Sequence, residues 1–500
     1  MTVILETLLL LLEPATLAII LVAVVLGIIL GAIPGLSGGL GVALMLPVTF
    51  GMAPHLGMAM LVAIWIGGVS GGMIGSILLG IPGSPSAIAT TFDGYPMTRN
   101  GEAVKALGAA ITASFLGTAL SIIIAMLLSP VMARMALKMG PWEYFSLGFC
   151  AIALVAALSR GNIFQGMAAA GLGLLLSTVG FAPIDGYPRF TFDLIYLGSG
   201  IDLIALMLGL FALKQIVSDH AKGPQPMPDV DISTIRGFGV SFREYVDNSW
   251  NIIRSFMIGL WIGFLPGMGA ALSNLVAYAQ AKSSSRHPEK FGKGCVDGVF
   301  ASETSNNASV GGSLIPMVAL GIPGDGVTAI LLGGLMIHGI QAGPLLFTNN
   351  PGIVYTLFLA ALIAATLVLF VQFFGMRLFP AILKIPYHYL YPTIVVLGFV
   401  GVFVGSSTAF NYVLLLSFAA FGLLMDKTRL PVGPFILAFI LGPMLELNLR
   451  RGITYVEDGH LAFFTRPISA LLLLLACLSI ILPYLSPWLK ARRAQRKDAA

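Results

Sequence analysis

The stretch ASETSNNASVGGSLIPMVALGIPGDG, residues 301–326, packs polar side chains densely into an otherwise apolar chain. Six of them fall within seven consecutive positions: Glu303, Thr304, Ser305, Asn306, Asn307 and Ser309. A Gly-Ile-Pro-Gly sequence follows, and both glycine and proline disfavour a continuous helix. The stretch therefore predicts a polar site beside a helix break.

The composition of the whole chain predicts an all-α polytopic integral membrane protein. Its 500 residues are 57% hydrophobic and 10% charged, whereas soluble domains carry about 25% charged residues. Several apolar runs approach the roughly 20 residues that cross a bilayer as a helix. The clearest are Leu17–Ile33, the region around Ile122–Leu128, Ile353–Phe374 and Ser469–Leu485. A β-barrel would instead show alternating segments of about ten residues. We expect the lipid bilayer as a partner and no nucleic acid, because the net charge of +5 mainly reports loop topology.

Three motifs recur in the same order in the two halves of the chain. GAIPGLSGGL at Gly31 matches GFLPGMGAAL at Gly263, and SGGMIGSILLGIPG at Ser70 matches the stretch that starts at Ser309. Later, SRGNIFQGMAAAGLGLLLS is echoed by SSTAFNYVLLLSFAAFGLL, and the offset drifts from about 230 to about 250 residues. An internal duplication explains this most economically, as transporters are commonly built this way. The predicted domains are a first transmembrane repeat at 1–217, a polar linker at 218–246, a second repeat at 247–487 and a basic cytoplasmic tail at 488–500.

The distribution of basic residues indicates that the two repeats are inverted, because short cytoplasmic loops are rich in Lys and Arg. The loop after the first Pro-Gly motif has neither residue, while its counterpart at 282–293 carries three Lys and one Arg. After the Gly-Ile-Pro-Gly motif the bias reverses, with Arg99 and Lys105 only in the first half. The basic tail places the C-terminus in the cytoplasm. The Pro-Gly motifs predict broken helices or re-entrant hairpins near the bilayer midplane.

A helix broken at membrane depth exposes backbone groups that survive only in protein or beside a wet cavity. Its free N–H groups suit an anion, and its free carbonyls suit a cation. The alternative is a kink that lets helices pack closely. The predicted substrate-binding residues are Ser305, Asn306, Asn307, Ser309, Gly35, Ser37, Gly267, Ser84 and Ser86. The predicted ion-coupling residues are Glu303, Thr304, Asp325, Thr328, Gly80, Pro82, Gly83, Gly321, Pro323 and Gly324.

The polar cluster at residues 303–309 cannot lie on one helix face, because neighbouring side chains point about 100° apart. We therefore expect an unwound tip or a wet cavity there; the alternative is that these side chains join helices by hydrogen bonds. Glu303 and Asp325 could neutralise a cation or carry a proton if they lie at membrane depth, or they could lie at the interface. Asp93, in a charge-rich stretch, is expected to be a turn or capping residue.

The motifs GAIPGLSGG, GIPGSPSAIATTFDGYPM, ASETSNNASVGGSLIPMVALGIPG and GLMIHGIQAGP resemble the signature stretches of a known family. It is the large membrane subunit of tripartite tricarboxylate transporters, of the TctA type, and the similarity covers nearly the whole chain. The resemblance implies a multi-pass transporter of the bacterial inner membrane. It also implies two partners, a small TctB-type membrane subunit and a periplasmic TctC-type solute-binding protein. Asp325 departs from the family, which usually has a small residue there.

Together these features predict ion-gradient-driven uptake of a citrate-like carboxylate. No Lys or Arg lies at the centre of either motif region, so cotransported Na⁺ or H⁺ would have to balance the charge of an anion. No cofactor is expected, and no metal beyond a Na⁺ site. An anion channel and a structural membrane scaffold are alternatives. An intramembrane enzyme is a further one, but no histidine or lysine lies beside the serines of the polar cluster to activate them.

Overall fold

The computed structural model describes residues 2–158, 163–222, 239–383, 387–406, 408–456 and 459–481, and these residues are almost entirely helical. The helices are α1 Thr2–Leu11, α2 Pro14–Ala32, α3 Gly38–Met45, α4 Pro54–Leu79, α5 Ile88–Arg99, α6 Ala103–Ala136, α7 Pro141–Leu158, α8 Ile163–Ser177, α9 Leu203–Met207, α10 Lys214–Lys222, α11 Phe242–Asp247, α12 Ser249–Phe264, α13 Gly269–Ser284, α14 Val296–Leu320, α15 Gly326–Ile337, α16 Leu346–Asn349, α17 Pro351–Gly375, α18 Phe379–Leu383, α19 Tyr387–Ser406, α20 Phe410–Thr428, α21 Val432–Thr454, α22 Gly459–Thr465 and α23 Pro467–Ile481. A π-helical stretch, Leu208–Leu213, joins α9 to α10. Short 3₁₀ turns lie at Pro47–Gly51, Pro85–Ala87, Ile195–Leu197, Pro288–Lys290 and Met376–Leu378. One hairpin pairs β1, Gly180–Phe181, with β2, Pro188–Arg189.

Seven of the described helical segments are long and apolar enough to cross a membrane, and the bent pair α22–α23 would make eight. Three of these spans contain or overlap the predicted apolar runs at Leu17–Ile33, Ile122–Leu128 and Ile353–Phe374. The prediction that these three runs are membrane helices is therefore confirmed. The run Ser469–Leu485 falls on α23 as far as Ile481. The chain is thus a helical, multi-pass membrane protein, as predicted.

The chain folds into two compact units, and both predicted repeats contribute residues to each unit. The first unit contains residues 1–134 and 202–423, and so holds the motifs from both halves. The second contains residues 135–201 and 424–500. Most of the predicted linker, 223–238, and the whole basic tail, 488–500, lie outside the described residues. The duplication and its inversion remain predictions.

Two long helices, α4 and α14, form the interior of the first unit. Nearly every residue of each is buried, including the glycines. The shorter helix α2 packs on α4, and the shorter helix α12 packs on α14. At each contact a glycine of the shorter helix lies so close to the backbone of the long helix that no side chain would fit. A Cβ at Gly31 of α2 would lie 2.9 Å from the Gly68 Cα, and one at Gly263 of α12 would lie 2.7 Å from the Ser309 Cα. Small residues permit such backbone contact in membrane proteins.

Both Gly-Ile-Pro-Gly motifs end a long helix, as the sequence predicts. Gly80 and Gly321 adopt left-handed conformations, with φ of 69° and 73°, and each is the C-cap of its helix. The next N–H folds back onto the helix end, from Ile81 to the Gly75 carbonyl at 3.3 Å and from Ile322 to the Pro316 carbonyl at 3.2 Å. The chain then returns beside its own helix, because a Cβ at Gly324 would lie 2.6 Å from the Ser313 Cα. Each motif therefore reverses the chain and starts a second helix inside the unit.

In the second unit, α7 and α8 pack against α21. Trp142 on α7 donates from Nε1 to the Gly452 carbonyl at 3.0 Å. Arg189 of the hairpin binds both carboxylate oxygens of Glu446 on α21, at 2.7 and 3.0 Å. Arg450 reaches the same carboxylate at 2.9 Å, so the hairpin is held by a network of charged groups.

Candidate functional site

A central cavity of about 320 Å³ lies in the first unit. The four helices that follow the predicted breaks, α3, α5, α13 and α15, begin around it. Its wall takes residues from the starts of α3, α13 and α15, from the Pro85–Ala87 turn that leads into α5, and from the middle of α4. The lining residues are Ser37, Gly38, Gly39, Trp65, Gly68, Val69, Ser84, Pro85, Ser86, Phe211, Gly267, Met268, Gly269, Ala270, Ala271, Asp325, Gly326, Val327 and Ile330. The cavity therefore joins both copies of both predicted break motifs.

Capping side chains fix two of the helix starts at this cavity. Ser37 accepts a hydrogen bond from the Leu40 N–H at 3.2 Å, and this begins α3. Asp325 begins α15 through a capping box, in which its Oδ1 accepts from the Thr328 N–H and its own N–H donates to the Thr328 hydroxyl oxygen, both at 2.8 Å. Helix N-termini carry unpaired N–H groups and a partial positive charge, and both favour an anion.

The side chains of the cavity carry little charge. Among the lining residues that the structure describes, Asp325 is the one ionisable side chain, and none is Lys, Arg or His. Ser84 and Ser86 add two hydroxyls whose oxygens lie 2.7 Å apart. An anion here would meet backbone N–H groups and hydroxyls instead of a fixed cation, with the Asp325 carboxylate opposing it.

The predicted unwound tip at the polar cluster is wrong, because α14 runs unbroken from Val296 to Leu320. Two serine hydroxyls of this helix are instead satisfied by its own carbonyls. Ser309 donates to the Asn306 carbonyl at 2.6 Å, and Ser313 donates to the Val310 carbonyl at 3.0 Å. The periodicity argument fails here because α14 is surrounded by other helices, so polar side chains on several faces can all be buried.

Two members of the cluster, Glu303 and Asn307, form a buried hydrogen-bonded network with α4, α5 and α6. Glu303 contacts the Thr90 hydroxyl at 2.5 Å, the Ser114 hydroxyl at 3.2 Å and the Asn307 Nδ2 at 3.3 Å. The Asn307 Oδ1 accepts from two further hydroxyls, those of Ser70 at 3.1 Å and Thr118 at 3.2 Å. We call these six residues the Glu303–Asn307 network; it holds a carboxyl group without any Lys or Arg among its members.

Sequence reasoning missed four members of this network, Ser70, Thr90, Ser114 and Thr118, as candidate site residues. A signal was available for two of them. Ser114 and Thr118 are four residues apart in the apolar helix α6, and Ser121 follows three residues later, so all three share one face. Nothing in the sequence shows that this polar stripe faces α14.

Other predicted residues have different surroundings. Ser305 and Ser273 exchange hydroxyl-to-carbonyl hydrogen bonds at 2.9 and 3.2 Å, which joins α13 to α14. Thr304 and Asn306 are buried beside them. Gly35, Gly80, Pro82, Gly83, Gly321, Pro323 and Gly324 lie in the breaks, and Thr328 lies in the capping box. Of the predicted residues, Ser37, Ser84, Ser86, Gly267 and Asp325 line the cavity.

Asp93 is neither in a loop nor in a turn, which corrects the expectation from its charge-rich surroundings. It lies inside α5 and is fully buried. Its Oδ1 accepts N–H groups from Gly292, Gly294 and Cys295 at 2.8 to 3.0 Å, and its Oδ2 accepts the Tyr278 hydroxyl at 2.8 Å. The residue therefore anchors the loop between α13 and α14 to α5.

Comparison with known proteins identifies the family. The model of the tripartite tricarboxylate transporter TctA family matches residues 17–437, which include both sets of breaks and the whole cavity. The chain belongs to the TctA family. An "Uncharacterized 52.8 kDa protein in TAR-I ttuC' 3'region" from Agrobacterium vitis is 32% identical over 473 residues, 94% of each chain. An "Uncharacterized protein in TAR-II ttuC' 3'region" from the same organism is 32% identical over 237 residues, 47% of this chain and 98% of that protein.

No solved structure matches this TctA chain. Membership in the family makes the chain a subunit of a tripartite transporter, and it implies partners of the TctB and TctC types. The family also places the polar cluster and the cavity in a transporter rather than in an enzyme family.

Proposed function

We propose that this TctA-family chain is the permease that carries a small di- or tricarboxylate across the bacterial inner membrane, with Na⁺ or H⁺ as the coupling ion. The observation that supports this most directly is the central cavity, where four broken helices begin around a space of about 320 Å³. Helix N-termini bind carboxylates without a basic side chain. The hydroxyls of Ser37, Ser84 and Ser86 would add hydrogen bonds to carboxylate oxygens.

The need for a cation follows from charge. A carboxylate in the cavity would meet the Asp325 carboxyl group with no Lys, Arg or His in the lining. Each negative charge that enters against a 100 mV negative interior costs about 2.3 kcal/mol. Cotransported cations would offset both effects, and we propose the Glu303–Asn307 network as one place where a proton could be held.

We propose further that the two motif-bearing segments are inverted repeats. The two basic loops lie together, since the Asn100 side chain donates to the Lys293 carbonyl at 3.3 Å and Asp93 holds the same loop. The two loops without Lys or Arg also lie close together. A Cβ at Gly57, near the start of α4, would lie 2.9 Å from Nε2 of His338, the C-cap of α15. These contacts support an arrangement in which equivalent loops would lie on opposite sides of the membrane, with the basic side in the cytoplasm.

Uptake by proteoliposomes tests the function. The chain is reconstituted with its small membrane subunit, and a labelled di- or tricarboxylate is offered with and without the cognate binding protein. Inward Na⁺ and H⁺ gradients are imposed separately. We expect saturable uptake that requires the binding protein and collapses without one of the two gradients. Gradient-independent leak would contradict the proposal and favour a channel.

A further inference from the structure

Two buried asparagines of the first unit have polar atoms without a hydrogen bond of ordinary geometry to any described residue. Asn274 on α13 and Asn306 on α14 are both fully buried. Among the described residues, no hydrogen bond of ordinary distance and angle satisfies the Oδ1 of Asn274 or either polar atom of the Asn306 amide. The Asn306 amide does lie close enough to the Glu303 carboxyl group to interact with it. Buried polar atoms are nearly always paired, and an unpaired one destabilises the fold. Such atoms point to a ligand.

The hydrogen bond that Asn274 does make decides which kind of ligand its free atom can take. Its Nδ2 donates to the backbone carbonyl of Ser86. A carbonyl can only accept, so the amide orientation is fixed and the free atom is the oxygen. An amide oxygen has no proton to give to a carboxylate. It can bind a cation, or it can accept a hydrogen bond from a donor.

The surroundings bring more oxygens to the same place. Ser86 lines the cavity, and so do Ala270 and Ala271, one helical turn before Asn274. Both α13 and α14 pack against the Pro85–Ala87 turn. The mutual hydrogen bonds between Ser273 and Ser305 fix the two helices next to each other at the level of the two asparagines.

We propose that Asn274, Asn306 and the Ser86 carbonyl form a binding site for an alkali cation, Na⁺, in the wall of the central cavity. Neutral amide and carbonyl oxygens are the ligands that hard cations prefer. Carbonyls freed at broken helices coordinate Na⁺ in transporters. The proposal rests on the proposed function, because it supplies a coupling ion for the carboxylate. It also extends it, because Asn274 lies outside the motifs that predicted the site.

The site would connect the two motif-bearing segments. Asn274 and Asn306 come from the second segment, and Ser86 comes from the first. A cation there would draw the Pro85–Ala87 turn towards α13 and α14 and close that side of the cavity. It would also place positive charge beside a bound carboxylate, where the lining has no basic side chain.

Thermal unfolding of the purified complex tests the site without a transport assay. Na⁺ is titrated against choline at constant ionic strength, with K⁺ as a second cation. We expect a saturable rise of the unfolding midpoint with Na⁺. Asn274→Ala and Asn306→Ala should each raise the half-saturating Na⁺ concentration by about 10-fold or more. Asn274→Asp, which keeps an oxygen at the site, should retain the response. Asn274→Ser serves if the alanine variant does not assemble.

Asn411→Ala is the matched control, because Asn411 is also a buried asparagine of the first unit but lies on α20. It should leave the Na⁺ response unchanged. A wild-type midpoint that responds equally to Na⁺ and choline would overturn the proposal and indicate that water fills the site. If carboxylate uptake is then driven by H⁺ alone, the proposed function survives and the Na⁺ site does not. If Na⁺ binds but no carboxylate is transported, the Na⁺ site survives and the proposed function does not.

Discussion

Replacing the adjacent asparagines of α14 by alanine, one at a time, should separate a ligand-binding residue from a structural one. Asn306 and Asn307 are both fully buried in the same helix, and they differ by one position. Asn307 takes part in five hydrogen bonds, whereas among the described residues the Asn306 amide makes none of ordinary geometry and only interacts with the Glu303 carboxyl group. The two substitutions are therefore matched in residue type, burial and helix.

The expected stability effects follow from these contacts. Asn307→Ala leaves the hydroxyls of Ser70 and Thr118 without their acceptor, and it removes one of the two donors to a Glu303 oxygen. Each unsatisfied buried group costs about 1–3 kcal/mol, and hydroxyls can turn back to a helix carbonyl, so we expect a loss of about 2–4 kcal/mol. Asn306→Ala removes a buried amide that makes no hydrogen bond of ordinary geometry to any described residue. The gain from losing an unpaired polar group and the loss of packing should leave a net change within about 1 kcal/mol.

For Asn306→Ala we expect little change in stability but a large loss of transport. The assays are the unfolding midpoint of the purified complex and gradient-driven uptake by proteoliposomes at matched protein content. Asn306→Ala should keep a near wild-type midpoint without added Na⁺ and lose most uptake. Asn307→Ala should lower the midpoint by several degrees and lose uptake as well. If Asn306→Ala lowers the midpoint as far as Asn307→Ala does, the Asn306 amide is a helix-joining group and the reasoning is refuted.

Three further substitutions probe the helix breaks, the charge of the cavity and the ion pair between Lys105 and Glu244. Gly321→Ala should destabilise the protein by about 1 kcal/mol or more, because residue 321 has a φ of 73°, which is strained for any residue with a side chain. Gly352→Ala is the control, since a Cβ at Gly352 would meet nothing within 4 Å. Equal unfolding midpoints for the two variants would contradict this prediction. Asp325→Ser should preserve the N-cap of α15, with a stability change of about 1 kcal/mol or less. It should nevertheless weaken the dependence of uptake on the cation. An unchanged dependence on Na⁺ and pH would show that the Asp325 carboxyl group serves only to cap α15. The hydrogen bond from Lys105 lowers the pKa of Glu244 below its ordinary 4.5, so its contribution to stability is present above that pH and is lost as the pH falls through the lowered value. The difference in unfolding midpoint between wild type and Glu244→Gln should therefore shrink on acidification from about pH 6 to about pH 3.5, and a constant difference would count against the ion pair.

The breaks were predictable from sequence because their cause is local. Proline and glycine change the backbone wherever they occur, so Gly80 and Gly321 end their helices without help from the rest of the fold. The apolar spans were predictable for the same reason, since length and hydropathy are properties of a segment. Ser37 and Asp325 followed from their position directly after the breaks.

What sequence reasoning could not supply depends on which helices touch. The polar cluster looked too crowded for one helix because nothing local shows that α14 is enclosed on several sides. Asp93 sits in a stretch typical of turns, yet three N–H groups from a loop some 200 residues later fold onto its carboxylate. Asn274 lies two residues beyond the second Pro-Gly motif, and its free oxygen becomes meaningful only once Ser86 is seen opposite it.

The predicted duplication gives these contacts a further meaning. Gly321 follows Gly80 by 241 positions, and the same offset carries Val62, Trp65 and Ile66 of α4 onto Glu303, Asn306 and Asn307 of α14. At these three positions α14 is polar and α4 is apolar. If one ancestral helix gave rise to both, α4 kept a packing face while α14 acquired the groups that bind. Trp65 at the cavity wall would then shape the carboxylate site, and its counterpart Asn306 would hold the cation. A transporter that must bind two unlike solutes side by side has this reason to let its two halves diverge.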